Sequence, residues 1–458
     1  MKELEYPFDA AYIIKKRKSL KKALLADGTS RIRKKIAVFG GSTTSDIVKT
    51  LELFLLDAGI EPEFYESEYA QYFQDAMFPD ETLLSFKPDI VFIHTTNRNV
   101  TDWPEMTDTT EQIDEKLHTE INRFTAMWKS IAEKFHCPII QNNFEMPLYR
   151  LLGSRDAWDI HGRTNFLTRL NEAFYAYARE NESFYIHDLN FVSADYGLKE
   201  WSNPLFWNMY KYAMCFEAIP SFAFSVSHII KSIFGKNKKA LTLDLDNTLW
   251  GGVVGDDGVD GIEIGQETGV SQSYYEFQTY VKQLKSLGIV LTVCSKNDHE
   301  NAIAGLNHPE GALRPDDFVI IKANWENKDR NIAETAAELN ILPDSIVFAD
   351  DNPAEREIVR TQIKGAAVPD MDGVENYITT IDRSGFFEVT TFSEDDLKRN
   401  EMYKKNALRA AEMASFGDYN DYLKSLEMHA VIDDFIPVYL ARITQLTNKS
   451  NQFNVTTR

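Results

Sequence analysis

The sequence predicts an α/β protein of two three-layer α/β/α domains with mostly parallel sheets, followed by a helical C-terminal tail. Short apolar runs of strand length alternate with amphipathic stretches of helix length, first from residue 35 and again from residue 240. Between the two series, residues 235–240 (GKNKKA) form the clearest linker. The predicted organisation is a helical lead-in (1–34), a first α/β domain (35–234), a second α/β domain (235–390) and a mostly helical tail (391–458).

The composition argues against two classes of partner. The 458 residues carry 49 Lys and Arg against 70 Asp and Glu, a formal charge of −21 that disfavours nucleic acid and anionic membranes. No window is apolar enough to span a bilayer, and the N-terminus MKELEYPFDA lacks the apolar core of a signal peptide. The three cysteines are far apart, as expected in a reducing compartment. We therefore expect a cytoplasmic protein.

In the first domain, four apolar runs predict strands that end in polar residues. The first strand turns through Gly40 and Gly41 into a helix, with an N-cap expected at Ser42 or just after it. The ends of parallel strands meet at one edge, where ligand sites lie. The runs are KIAVFGGSTT from Lys35, DIVFIHTTN (89–97), CPIIQNN (137–143) and SFYIHDLN (183–190), with helices expected at 109–135, 164–182 and 204–231.

The second domain follows the same pattern. Helices are expected near 271–287, 298–305 and 327–340. The strands are expected at LTLDLD (241–246), IVLTVCS (289–295), DFVII (317–321) and SIVFADD (345–351).

Two carboxylates, Asp244 and Asp246, stand out in the stretch LTLDLDNTLWGG. They are two positions apart, so on an extended backbone both point to the same face. A core sheet does not bury two like charges side by side unless a cation or a chemical task holds them there.

Polar residues follow all four predicted strands of this domain. Asp244 and Asp246 follow the first, Ser295 and Asn297 the second, Lys328 opens the helix after the third, and Asp350 and Asp351 end the fourth. This set suits phosphoryl transfer: a carboxylate nucleophile, a second carboxylate as acid and base, and a hydroxyl and an ammonium group for phosphate oxygens. Further carboxylates suit a hard cation such as Mg²⁺.

The order of the segments DLDNT, VCSKN, NWENKDR and FADDNP resembles the four motifs of the haloacid dehalogenase (HAD) superfamily of phosphatases and phosphotransferases. The resemblance implies Asp244 as nucleophile and Asp246 as general acid and base. It implies Ser295, Lys328 and Asn297 as the phosphate-binding residues, with Lys322 a nearby competitor for the lysine. Mg²⁺ would lie between Asp244, the backbone carbonyl of Asp246, and Asp350 or Asp351.

The spacing of these motifs leaves no room for a cap domain. Thirty-three positions separate Ser295 from Lys328, enough for a helix, a strand and their loops. Only a short insertion fits between Thr248 and Ser271. We therefore expect an open site, or one that the N-terminal domain covers.

Longer strings narrow the resemblance to the FkbH-like family: LDLDNTLWGGVVGDDG, VCSKND, ANWENK, FADDNPAERE and the closing RITQLTNKSNQFNVTTR. The family implies an N-terminal domain similar to SGNH hydrolases, a capless HAD domain and the start of an acetyltransferase-like module in the tail. It further implies a phosphorylated small-molecule substrate, either a phosphoglycerate-like acyl phosphate whose glyceryl group passes to an acyl carrier protein or a substrate of polysaccharide biosynthesis. Cys294 offers a thioester nucleophile, against the alternative of an inert strand cysteine.

GGSTT resembles the first block of SGNH hydrolases, with Ser42 at the nucleophile position and Asn97 at the oxyanion hole. A serine hydrolase also needs a base, and no D-x-x-H string follows His187 and Asp188. We expect a degenerate site, in which Ser42 caps a helix. An esterase centred on Ser42 and a non-catalytic carrier-docking module remain the alternatives.

Overall fold

The computed structural model describes residues 1–392 and 397–405, together with residues 424, 427–429, 432, 434 and 443. The chain divides into one unit of Met1–Glu401 and a second of Met402–Arg458, and the fold below is that of the first unit. The predicted strand-like run at 428–435 and the predicted start of an acetyltransferase-like module lie largely outside the described residues. The domain boundaries stay a prediction.

The first sheet has five parallel strands in the order β2-β1-β3-β4-β5. The order reverses between β1 and β3, so a crevice opens at the carboxyl ends of these two strands. The strands are β1 (Ile32–Gly40), β2 (Ile60–Glu66), β3 (Ile90–His94), β4 (Ile139–Asn142) and β5 (Phe184–His187).

Helices cover both faces of the first sheet. The helices between residues 1 and 234 are α1 (Ala10–Ala26), α2 (Ser45–Asp57), α3 (Tyr72–Met77), α4 (Glu81–Phe86), α5 (Thr110–Phe135), α6 (Arg163–Glu180), α7 (Leu189–Tyr196), α8 (Leu198–Trp201), α9 (Pro204–Tyr210) and α10 (Ile219–Ile233). Helices α1, α2 and α10 pack on one face, and α3, α5 and α6 pack on the other. Two apolar cores therefore enclose the sheet and hold its strand ends in place.

The second sheet has four parallel strands in the order β8-β7-β6-β9. Its order reverses between β6 and β9. The strands are β6 (Ala240–Leu243), β7 (Val290–Ser295), β8 (Ile320–Ala323) and β9 (Ile346–Ala349). The helices are α11 (Val254–Asp257), α12 (Gly269–Ser286), α13 (His299–Leu306), α14 (Lys328–Glu338), α15 (Pro353–Gln362) and α16 (Tyr377–Arg383).

The predicted α/β class with two mostly parallel sheets is confirmed, with three differences of detail. Strand β2 was not predicted, because it is a half-exposed edge strand that carries Pro62 and alternating acidic residues. The predicted helix over 204–231 is two helices, since Lys211 has a left-handed backbone and ends α9. Strand β8 starts at Ile320 because Asp317 closes a turn instead, accepting a hydrogen bond from Arg314 N at 2.8 Å.

None of the helices among the described residues combines the length and the apolar character needed to cross a bilayer.

Candidate functional site

The reversal of strand order in the second sheet places acidic residues from two neighbouring strands side by side. Asp244 follows β6, and Asp350 and Asp351 follow β9, which pairs directly with β6. One carboxylate oxygen from each of the three residues lies within 4.8 Å of the others. Three acidic side chains at this spacing repel each other unless cations offset their charge.

Asp244 is buried, with 7% of its surface exposed. Its Oδ2 lies 3.0 Å from Lys328 Nζ. Its Oδ1 has no hydrogen-bond partner among the described residues. A buried carboxylate oxygen without a partner is costly, so this atom marks a place where a ligand supplies the missing interaction.

Lys328 supplies the ammonium group of the site. It is the first residue of α14 and is only 3% exposed. Its Nζ bridges Asp244 and Asp350, donating to Asp350 Oδ2 at 2.6 Å. Burial by itself lowers the pKa of Lys328, but the charges of Asp244 and Asp350 outweigh burial and raise it. Lys328 is therefore a fixed cation, suited to binding phosphate oxygens.

Lys322, the competitor considered for this position, lies elsewhere. Its Nζ pairs with Glu334 at 3.0 Å and with Glu338 at 2.7 Å, both on α14.

The two consecutive aspartates after β9 differ in their bonding. Asp350 is fully buried, and its carboxylate accepts hydrogen bonds from Lys328 and from Asn352 N at 2.8 Å. The Asp351 carboxylate accepts none from another described residue. Burial, followed by the charge of Asp244, raises the pKa of both side chains, that of Asp350 to about 6. Asp351 can therefore enter a metal shell without giving up an existing bond.

The donor set of this cluster fits Mg²⁺. Carboxylate oxygens are the ligands that this hard cation prefers, and Asp244 Oδ1 is both buried and unpartnered. Asp244, Asp350 and Asp351 are the residues that would hold the ion.

Asp246 lies in the loop after β6, and its carboxylate is outside the three-aspartate cluster. Its Oδ1 accepts hydrogen bonds from Trp250 Nε1 at 2.9 Å and from Val254 N at 3.1 Å. Its Oδ2 accepts one from Asn297 Nδ2 at 2.9 Å. Burial raises the pKa of Asp246. Burial outweighs these hydrogen bonds, which by themselves favour the ionised form. The raised pKa suits a proton carrier, and the hydrogen bonds fix the orientation of the carboxylate.

The second predicted strand end contributes two buried side chains. Asn297 is 4% exposed and orients Asp246 by the bond described above. Ser295, the last residue of β7, is 1% exposed, and its carbonyl accepts from Asn324 N at 3.2 Å. This bond ties the loop of the second motif to the loop that leads into Lys328.

Cys294 lies directly before Ser295 and is fully buried. Its Sγ donates to the carbonyl of Lys328 at 3.7 Å. Burial raises the pKa of this thiol to about 12, so the thiolate that a thioester nucleophile needs does not form near neutral pH.

Two residues that position the site were not anticipated. The guanidinium of Arg356, which is 4% exposed, donates to the carbonyl oxygens of Asp350 and Asp351 at 2.9 and 2.8 Å. Thr248 Oγ1 accepts from Asp351 N at 3.1 Å. Both residues belong to the quoted motifs, but hydrogen bonds to the backbone leave no pattern in a sequence.

A lid formed by the N-terminal domain stays a prediction. Among the described residues, no hydrogen bond or ion pair joins residues 35–234 to Asp244, Asp246, Lys328, Asp350 or Asp351. The two parts of the unit meet elsewhere, as in the ion pair of Arg383 with Asp195 at 2.8 Å.

The predicted serine site of the first domain is arranged differently from expectation. The N-cap of α2, predicted at Ser42 or just after it, is Thr44. Ser42 itself does not cap the helix, and its Oγ is buried without a hydrogen-bond partner among the described residues. The side chain of Asn97 donates away from this loop, to the carbonyl of Glu145 at 3.3 Å. It is Asn99 that reaches the loop, donating to the carbonyl of Gly41 at 2.9 Å.

Two buried histidines of this sheet share Asn142 as a hydrogen-bond partner, and His94 Nε2 has no partner among the described residues. His94 and His187 flank Asn142, whose amide bonds to His94 Nδ1 at 2.8 Å and to His187 Nδ1 at 2.9 Å. The Nε2 of His187 is 3.0 Å from Ser225 Oγ. Among the described residues, no hydrogen bond joins either histidine to Ser42.

The chain is similar to known proteins in sequence and in structure. Residues 35–231 match the family model of the FkbH N-terminal domain. The crystal structure of the N-terminal part of the protein BF1531 from Bacteroides fragilis contains a phosphatase domain and is complexed with Mg. Its sequence is 30% identical to this chain. The TM-score is 0.75, and the match covers 82% of this chain and 99% of that chain. A GDSL-like lipase (BT0569) from Bacteroides thetaiotaomicron is 13% identical, covering 49% of this chain and 98% of that chain, and its TM-score of 0.25 supports no statement about activity. No curated protein matches the chain significantly. The match of the first domain, together with the BF1531 structure that aligns across both domains, shows that this chain belongs to the FkbH family.

Proposed function

We propose that this protein is a Mg²⁺-dependent phosphatase or phosphotransferase of HAD type that acts through an aspartyl-phosphate. The observation that carries the proposal is the buried, unpartnered Oδ1 of Asp244, beside the fixed ammonium of Lys328 and two further carboxylates. The phosphatase domain and the Mg of the BF1531 structure support it.

In the proposed first step, Asp244 attacks the phosphorus of the substrate, and the bond from phosphorus to the leaving oxygen breaks. Asp246 gives its proton to that oxygen, a role that its raised pKa supports, and its hydrogen bond from Asn297 fixes its orientation. Lys328 stabilises the charge on the transferring group. When bound, Mg²⁺ would supply further charge stabilisation and orientation.

In the second step, Asp246, now ionised, removes a proton from water or from another acceptor. The acceptor attacks the phosphorus, and Asp244 leaves as a free carboxylate, which restores the starting state. Each step moves one proton and exchanges one bond at phosphorus.

For the substrate, we propose a phosphorylated small molecule of the kind that the FkbH resemblance implies. This is a phosphoglycerate-like acyl phosphate, with the glyceryl group passing to an acyl carrier protein, or a substrate of polysaccharide biosynthesis. The short connection between Thr248 and α12 supports an open site that a large substrate can reach. The three cysteines are free thiols, which suits a cytoplasmic reaction.

The test is phosphate release from a panel of phosphate esters and acyl phosphates, with and without Mg²⁺. Asp244→Asn should abolish turnover, and Asp260→Asn, an exposed aspartate of the same domain, is the matched control. An Asp244→Asn enzyme with full activity would overturn the proposal.

The alternatives predict different outcomes. An esterase centred on Ser42 would lose ester hydrolysis in Ser42→Ala but not in Asp244→Asn. A non-catalytic docking module would release no phosphate from any substrate, even with Mg²⁺.

A further inference from the structure

A cavity of about 520 Å³ lies in the N-terminal domain, away from the aspartate cluster. Its walls come from the segment after β3 (Asn97 and Arg98), the segment after β4 (Glu145–Tyr149), and the region of α8 and α9 (Trp201–Asn208). Strand β3 borders the point where the strand order of the first sheet reverses. This edge of a parallel sheet is where ligand sites form in such folds.

Two guanidinium groups line this cavity without an ion-pair partner. Arg98 stacks on the ring of Trp207 at 4.7 Å, and Arg163 stacks on Trp103 at 4.9 Å. Among the described residues, neither guanidinium has a carboxylate oxygen within 4.0 Å. A stacked guanidinium keeps N–H groups at its edge, and these match the oxygens of a carboxylate or phosphate.

The charge of these walls is opposite to that of the whole chain. The chain has 70 acidic and 49 basic residues, yet Glu145 is the one acidic residue in the described lining of the cavity. Burial raises the pKa of Glu145 to about 8, so its side chain is largely neutral at pH 7. A neighbouring cavity of about 800 Å³ shares the wall from Met146 to Tyr149 and adds Arg150 and Lys199. Arg98 and Arg163 therefore face a single carboxyl group in the described lining of the first cavity, that of Glu145.

Much of the remaining lining is apolar or aromatic, beside the polar side chains of Asn97, Ser202 and Asn208. It includes three tryptophans, at positions 103, 201 and 207, together with Leu148 and Tyr149. Tryptophan and tyrosine faces provide a large contact area for an apolar or aromatic group. The pocket therefore combines cationic groups with apolar and aromatic surface, as small-molecule sites do.

The pocket is suited to binding, with no sign of ester cleavage. Ser42 is not part of its described lining, and neither is any histidine. We propose that this cavity binds a small amphipathic anion: a molecule with one carboxylate or phosphate group and an apolar or aromatic body.

The test uses the full chain and a matched pair of fluorescent probes. Anilinonaphthalene sulfonate carries an anionic group, whereas N-phenylnaphthylamine has a similar aromatic body without charge. Binding of each is followed by probe fluorescence and by quenching of tryptophan emission. Octanoate, octyl phosphate and octanol are then compared as competitors of the bound probe. Stronger displacement by octanoate or by octyl phosphate identifies a carboxylate or a phosphate ligand, whereas equal displacement by octanol indicates apolar binding alone.

We expect the anionic probe to bind the wild-type chain. At least one of the two anionic competitors should displace this probe better than octanol does. R98Q and R163Q should each lower the affinity for the anionic probe by about tenfold or more, because each removes a charge-assisted hydrogen bond. Both variants should leave the affinity for the neutral probe unchanged. R155Q is the matched control, because Arg155 stacks on Trp158 at 4.9 Å outside both cavities. S202W, which keeps both arginines and fills the cavity, should exclude both probes.

Three results would overturn the proposal. The first is a wild-type chain that binds neither the anionic probe nor the two anionic competitors. The second is an R98Q/R163Q chain, folded by circular dichroism, that keeps the wild-type affinity for the anionic probe. The third is an equal loss of affinity in R155Q.

Discussion

Replacing Lys328 by Met removes the buried cation between Asp244 and Asp350. At an effective dielectric constant of about 20, unit charges separated by the 3.0 Å found for Lys328 and Asp244 attract by about 5–6 kcal/mol. Desolvation of the ammonium offsets part of this attraction. Removing one member of a buried ion pair costs about 3–5 kcal/mol, since the partner charge is left unpaired. We therefore expect Lys328→Met to lower the free energy of unfolding by about 3–5 kcal/mol.

Urea unfolding, followed by circular dichroism without added metal, measures this loss. Lys322→Met is the control, because its carboxylate partners on α14 are exposed and such pairs contribute about 1 kcal/mol or less. Added Mg²⁺ should narrow the difference between Lys328→Met and wild type, because the ion neutralises the same carboxylates. An equal, small loss for the two lysine variants would refute the assignment of Lys328 as a buried counter-ion.

Three further predictions concern the acid, the metal and the pH dependence. Asp246→Asn should lower turnover by about 10²–10⁴-fold, as loss of a general acid does. Equilibrium titration should show that the Mg²⁺ affinity of this variant stays within a few-fold of wild type. Unchanged turnover would contradict the role of Asp246 as general acid. Asp351→Asn should weaken Mg²⁺ binding measured by calorimetry, because it removes a carboxylate free to ligate; unaltered affinity would exclude it as a ligand. Burial lowers the pKa of His94 and His187 to about 3, below the pKa of about 6.5 in the unfolded chain. The neutral side chains therefore contribute stability above about pH 6.5. This contribution is lost as the pH falls from there towards 3. In urea unfolding, each histidine should lower the free energy of unfolding by about 2 kcal/mol between pH 7.5 and pH 5.0. His187→Gln should remove the contribution of His187 to this pH dependence, and an unchanged pH dependence would contradict the prediction.

The sequence was informative about the second domain because its residues obey two simple rules. Apolar runs set the strands, and the carboxyl ends of parallel strands meet, so Asp244, Lys328 and Asp350 could be expected together before their distances were known. The preference for Lys328 over Lys322 rested on its place at a predicted helix start, and the structure has it at the first position of α14.

Other features depend on contacts that leave no periodic signal. Arg356 holds the loop after β9 by hydrogen bonds to carbonyl groups, which any sequence supplies. The N-cap of α2 was predicted at Ser42 or a residue just after it; the structure has it at Thr44, and Ser42 is buried instead. The stacking of Arg98 on Trp207 joins residues far apart in the chain and could be found only from the fold.

The central claim is that Asp244 becomes phosphorylated during turnover. The most direct measurement starts from the Mg²⁺-activated enzyme while it consumes a substrate found by the phosphate-release panel. The reaction is quenched with acid and the protein is reduced with borohydride. Its peptides are then sequenced by mass spectrometry. An aspartyl-phosphate is reduced to homoserine, so the account predicts homoserine at position 244, absent when substrate is omitted. Homoserine at position 246, or a phosphoryl group on Ser42 with position 244 unmodified, would contradict it.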